Sequence, residues 1–270
     1  MRAWKAITFQ WSEVKIMSKL INVNIHELLK NKFFYLINLI CIGAGVLFSA
    51  GFVLFPNFNL PEGSDLVLTS ENILGFSPSF ASIVIPFAAS ATVAIMLESQ
   101  YNHGTIRNRL ISGHTRTEMF FSNLITMSVA AFIYFLCYEV TVISVAVLAF
   151  GYDGYKVEAV LVSLLVLYLM IIATGTLLSL VIGNFMSGGK ITIVVLVVQY
   201  LLNISLVLGM FKKDNEILDL ISRIFPQSST FTLSYGVVAD GIEKNFIISL
   251  VLIVILCGVG LFHFKKCDIK

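Results

Sequence analysis

Glu98-Ser-Gln-Tyr-Asn-His-Gly-Thr-Ile-Arg-Asn-Arg-Leu-Ile-Ser-Gly-His-Thr-Arg-Thr-Glu118 is a polar interval set between two long apolar runs. It carries a local plan of its own. Gly104 is placed to break a preceding helix, and Thr105 to cap a short new one. On that short helix Ile106 and Leu110 share one face, with Arg107 and Arg109 flanking it. Gly113 is placed to end the helix, and Thr115 to Glu118 has the spacing of a capping box that launches the next apolar run. Two readings fit these residues. One is a short helix hung between two membrane spans and built to dock a partner in the cytoplasm; the other is a solvated connector whose arginines obey membrane topology.

The flanking runs decide the class. The chain is 57% hydrophobic and 13% charged, against roughly 25% charged residues in soluble domains. Water cannot solvate a surface built from that composition, so the chain reads as an all-α polytopic membrane protein. Six spans are expected, at about residues 33–55, 77–98, 119–150, 158–183, 191–211 and 246–264. Ser77-Pro78 reads as a cap followed by proline in the first turn of the second span, and Pro86 is placed to kink that span. Asn184 to Lys190 forms a tight return.

Ahead of the spans, residues 18–32 are amphipathic, with Ile21, Ile25 and Leu28 on one face and Asn22, Glu27 and Lys30 away from it. This reads as an interfacial helix on the cytoplasmic leaflet, or as a soluble helix held against a partner. Ser12 to Ile16 are residues that a ribosome-binding sequence ahead of a Met17 start codon could encode, so translation is expected to begin at Met17 and residues 1–17 are read as an extension. Between the last two spans, Asn215 to Phe225 is amphipathic, and Ser228 to Ala239 is apolar but too short to cross a bilayer.

Charge orients the bundle. With six spans both termini share one side, which collects Arg2, Lys5, Lys15, Lys19, Lys30, Lys32, Arg107, Arg109, Arg116, Lys190, Lys265, Lys266 and Lys270. The opposite side holds only Lys156, Lys212, Lys213, Arg223 and Lys244. The positive-inside rule puts both termini and the 98–118 interval in the cytoplasm of a cell membrane. The formal net charge of +2 gives no nucleic-acid signal.

Chemistry of the enzymatic kind is not expected. Cys41, Cys137, Cys257 and Cys267 are scattered, and His26, His103, His114 and His263 lack ligand spacing, so neither a metal nor a cofactor is expected on this chain. Ser187 to Thr192 lacks the glycine and hydroxyl positions of a nucleotide-binding loop. Gly175, Ser179 and Gly183 form a small-residue stripe for close helix packing. Of the polar residues within spans, three are candidates for more than packing. Glu139 falls in the outer half of the third span, either lining a path or snorkelling to the outer surface. Gln199 and Asn203 share one face of the fifth span, where they either line a path or join helices.

Glu98, Gly104-Thr105-Ile106-Arg107, the Ser112-Gly113 break and Arg116 together resemble the loop between the second and third spans of ABC transporter permeases of the type 2 exporter class. Proline often stands in that family where this chain has Gly113. The resemblance implies a coupling helix that seats in a groove of a separate cytoplasmic ATPase, with Glu98, Gly104, Thr105, Ile106, Arg107, Arg109, Leu110, Gly113 and Arg116 as the coupling residues. ATP and magnesium would then belong to that partner. A second permease copy or a sister permease would complete the path, and 228–239 would be a re-entrant segment. The cargo would be an amphipathic peptide, lipid or drug. Two other classes stay open: a non-transporting membrane immunity or sensor protein, and an ion-coupled carrier. A carrier is expected to show inverted repeats and several buried charges, and neither is evident here.

Overall fold

A computed structural model describes residues 17–54, 70–151, 157–186, 190–210 and 242–267. Helix is the regular structure of all of them. An N-terminal helix α1 (residues 17–30) precedes α2 (Lys32–Leu54), α3 (Ser70–Asn102), the short α4 (Thr105–Ile111) and α5 (Arg116–Phe150). Then α6 (Val157–Ile171) continues through a π turn (Ile172–Leu177) into α7 (Leu178–Met186), followed by α8 (Ile191–Met210) and α9 (Ile242–Lys266). Residues 1–16, 187–189 and the whole of 215–239 lie outside the described set, and with them the expected extension, the glycines of the tight return and the segments before the last span.

Among the described residues, five helical stretches are long and apolar enough to cross a membrane: Lys32–Leu54, Phe76–Asn102, Arg116–Phe150, Leu161–Met186 and Phe246–Lys266. The expected fifth span is α8, whose described apolar stretch is the shorter Ile191–Leu202. Leu39, Leu47, Ile193, Tyr200, Val254 and Phe262 stand exposed on α2, α8 and α9. An apolar exterior of this kind matches a hydrocarbon solvent, in which helices satisfy their backbone polar groups internally.

The core is organised around α3, which packs against α2, α5, α6, α7, α8 and the π turn. The small-residue stripe is what allows this. A Cβ on Gly175 would lie 2.8 Å from Pro86 Cα and 3.0 Å from its carbonyl oxygen, and one on Gly183 would meet Leu97 Cδ1 at 2.5 Å. Between them Ser179 donates to Ser90 Oγ at 2.8 Å, and Ser90 donates to the Gly175 carbonyl at 3.1 Å. Stripe and hydroxyls thus join α3 to the π turn and α7 at backbone distance.

Two expectations are corrected. Ser77-Pro78 does not open the second membrane helix: α3 begins at Ser70, and Pro78 as well as Pro86 lies inside it. Ile73 and Leu74 are buried in the core, so packing extends the helix back past the local start signal. In α1 the buried line is Leu20, Asn24 and Leu28, with Ile21 and Ile25 only half-buried. The reason is Asn24, which donates to Ser122 Oγ and to Asn123 Oδ1, both at 2.9 Å, and so turns its own face toward α5.

Candidate functional site

The polar interval folds as the end of α3, a left-handed glycine, α4, a second left-handed glycine and the start of α5. Gly104 (φ 64°) is itself the N-cap residue of α4, with no side-chain cap, so Thr105 is the first helical residue and not the cap. A left-handed residue suits glycine, and at this position the backbone reversal takes precedence over side-chain capping. The C-terminal end closes as the sequence predicts. Gly113 (φ 96°) follows the C-cap Ser112, with bonds of 3.1 Å from Gly113 N to Leu110 O and from His114 N to Arg109 O. That pair is a Schellman motif, which satisfies carbonyls the helix leaves open. The capping box forms in full: Thr115 N–H donates to Glu118 Oε2 at 2.8 Å, and Glu118 N–H donates to Thr115 Oγ1 at 3.2 Å.

The connector presents its faces differently from the sequence expectation. Ile106 is 2% exposed and belongs to the protein's own core, and Leu110 packs against that core. The apolar face therefore turns inward, because the chain's own helices offer apolar surface closer than any partner. Facing outward are Arg107, Asn108 and Ile111, the last 75% exposed. Arg109 reaches Glu27 of α1 at 3.6 Å. Burial lowers the Arg109 guanidinium from its ordinary value and the Glu27 charge opposes that shift; an arginine keeps its charge throughout the physiological range.

The two charges bracketing the interval are engaged elsewhere. Glu98 accepts from the hydroxyl of Thr192 and, at 3.2 Å, from its backbone N–H at the start of α8. Arg116 Nη1 donates to the carbonyls of Phe264 (2.8 Å), Lys265 (3.2 Å) and Cys267 at the end of α9. Beside them runs a buried amide chain: Asn24 of α1 bonds Asn123 of α5, which donates to Gln100 Oε1 of α3 at 3.1 Å.

The deeper candidates are enclosed. Glu139 is 4% exposed and accepts from Ser77 of α3, so it sits between helices and not at an outer surface. Gln199 is 1% exposed; its Oε1 accepts from Ser90 at 3.3 Å, and its Nε2 has no hydrogen-bond partner among the described residues. The Asn203 side chain lies outside the described set. Sequence reasoning missed Glu27, Ser77, Thr192 and Asn24 as partners of this site. Only Asn24 left a trace, as a polar residue in register with Leu20 and Leu28 at helical spacing.

No curated protein sequence matches the chain. A family model does: the one described as ABC-2 family transporter protein matches residues 7–269, nearly the whole length. The chain belongs to the ABC-2 transporter family and is a membrane-embedded permease subunit of an ABC transporter.

Proposed function

We propose that this subunit is half of the membrane path of an ATP-driven exporter, and that α4 is the element through which a separate cytoplasmic ATPase drives it. The observation that carries the reading is the construction of α4. It is closed at its C-terminal end by a Schellman motif, seated by Ile106 in the core, and braced to α1 by Glu27 and Arg109. A short element held on three sides moves as a rigid body with the helices it joins, which transmission of force requires. Its free face, Arg107, Asn108 and Ile111, offers one apolar contact between polar groups. That composition suits a protein groove, where a few central anchors dominate binding and flanking charges steer encounter.

In this reading the excess of Lys and Arg at the α4 end faces the cytoplasm. ATP and magnesium bind to the partner. A second copy of the chain, or a sister permease, encloses the path with it. Glu139 and Gln199, enclosed by helices of one chain, serve the joints between helices, and the path runs between the two subunits. The cargo is an amphipathic peptide, lipid or drug.

The test is co-purification of the tagged chain with the soluble ATPase of the same operon, followed by ATP hydrolysis in nanodiscs. Wild-type chain is expected to retain the ATPase, and the Arg107→Glu, Ile111→Asp double variant to lose it at unchanged chain yield. Full retention by that variant, or the absence of any associated ATPase, overturns the reading.

A further inference from the structure

The bracketing charges of the α4 interval do not serve α4; each holds the end of a helix remote in sequence. Thr192 is the second residue of α8, so the Glu98 carboxylate lies at a helix N-terminus, where N–H groups are open and negative charge is favoured. Arg116, the first residue of α5, does the complementary thing. Its guanidinium gathers three carbonyls at the C-terminus of α9, where carbonyls are open and positive charge is favoured.

We propose that Glu98 and Arg116 are positioning residues that carry any displacement of the α4 loop to α8 and α9, so that a push on the loop moves four helices and not only the two it connects. The inference rests on the coupling role of α4 and adds where the movement goes. Side-chain packing alone leaves such a link loose, since packed helices slide past one another in shear. Phe120 of α5 packs on Phe264 and Gly260 at this end of α9, but only 11% of the most apolar 18-residue window of α9 is buried among the described residues, so the hold on it lies at this end. α8 packs along α3, and the bonds from Thr192 to Glu98 tie its first turn to the end of that helix. The Glu27–Arg109 pair and the Ile106 seat keep α4 itself from yielding first.

Amide hydrogen exchange on the purified chain tests this without any ATPase, in nanodiscs of phosphatidylcholine and phosphatidylglycerol. Ile106→Ala loosens α4, and Arg109→Gln serves as a second, milder loosening substitution. Exchange in the first turn of α8 and the last turn of α9 is expected to rise about tenfold, a change of the size that sub-global opening produces. In a Glu98→Met background the α8 response should vanish while the α9 response persists; in an Arg116→Gln background the pattern should reverse. Thr192→Val, which loses the hydroxyl bond to Glu98 but keeps the backbone one, should weaken the α8 response, and Thr192→Ser should preserve it. Loop amides that respond while α8 and α9 do not, or effects that add independently in the double variants, overturn the proposal. Failure of ATPase recruitment would show separately in the co-purification and leaves this readout unaffected.

Discussion

Ser77 Oγ of α3 lies 3.2 and 3.0 Å from the two carboxylate oxygens of Glu139 on α5, and Glu139 is 4% exposed. The acidic group that looked free in the sequence is thus one half of an interhelical joint. Ser77, which looked like a helix cap, is the other half. A buried carboxyl group in a membrane helix is costly unless partnered, and here the partner comes from the same chain.

Removing that partner should therefore be felt as stability. Ser77→Ala is expected to leave the Glu139 carboxyl unsatisfied and to lower stability by about 1–3 kcal/mol, the usual penalty for an orphaned buried group. The Ser77→Ala, Glu139→Leu double variant should recover most of the loss, since it removes both polar partners. Denaturant titration in detergent micelles measures both. A Ser77→Ala chain as stable as wild type would show that the joint carries no energy.

A second prediction concerns the approach of the π turn to α3. Gly175→Ala places a methyl group 2.8 Å from a backbone atom of Pro86, which has no rotamer to give way. Overpacking of this kind costs about 1–3 kcal/mol. Gly43→Ala is the control, because a Cβ there has nothing within 4 Å. Thermal unfolding should separate the two, with Gly175→Ala melting lower and Gly43→Ala showing no loss.

A third concerns the amide chain that seats α1. Asn24 is fully buried and bonds Ser122 and Asn123. Asn24→Leu keeps the branched shape of the side chain but leaves the Asn123 oxygen without this donor, at a cost of about 1–3 kcal/mol. Amides of α1 should then exchange about tenfold faster, while those of α5 change little. Unchanged protection of α1 would mean that Leu20 and Leu28 hold the helix alone.

The local devices of the 98–118 interval were legible in the sequence because their partners lie within a few residues. The Thr115–Glu118 box, the Gly113 terminator and the Gly175-Ser179-Gly183 stripe need only spacing to be seen. Whatever depended on a distant partner was not legible. Glu98 meets Thr192, Arg116 meets the end of α9, and Ser77 meets Glu139 across sequence separations that no periodicity encodes. The direction of the α4 apolar face belongs to the same class. Spacing shows that Ile106 and Leu110 share a side, but which surface that side covers is set by the bundle. The π turn was hidden as well, since Ile172 to Leu177 differs little in composition from the flanking helix.

The last prediction separates the two faces of α4. Ile106 is 2% exposed and Ile111 is 75% exposed, although both are isoleucines on one short helix. Ile106→Asp would bury an unpaired charge inside the chain's own core, so it is expected to lower folded yield or melting temperature whether or not a partner is present. Ile111→Asp alters only the outward face, and its effect on the isolated chain should stay within about 0.5 kcal/mol. In the complex the order is expected to invert, with Ile111→Asp weakening ATPase association by tenfold or more, about 1.4 kcal/mol. Fluorescence size-exclusion melting of the chain alone, set beside co-purification of the ATPase, reads both effects. An Ile111→Asp chain that melts early, or one that binds the ATPase as well as wild type does, would remove the outward face of α4 from the coupling interface.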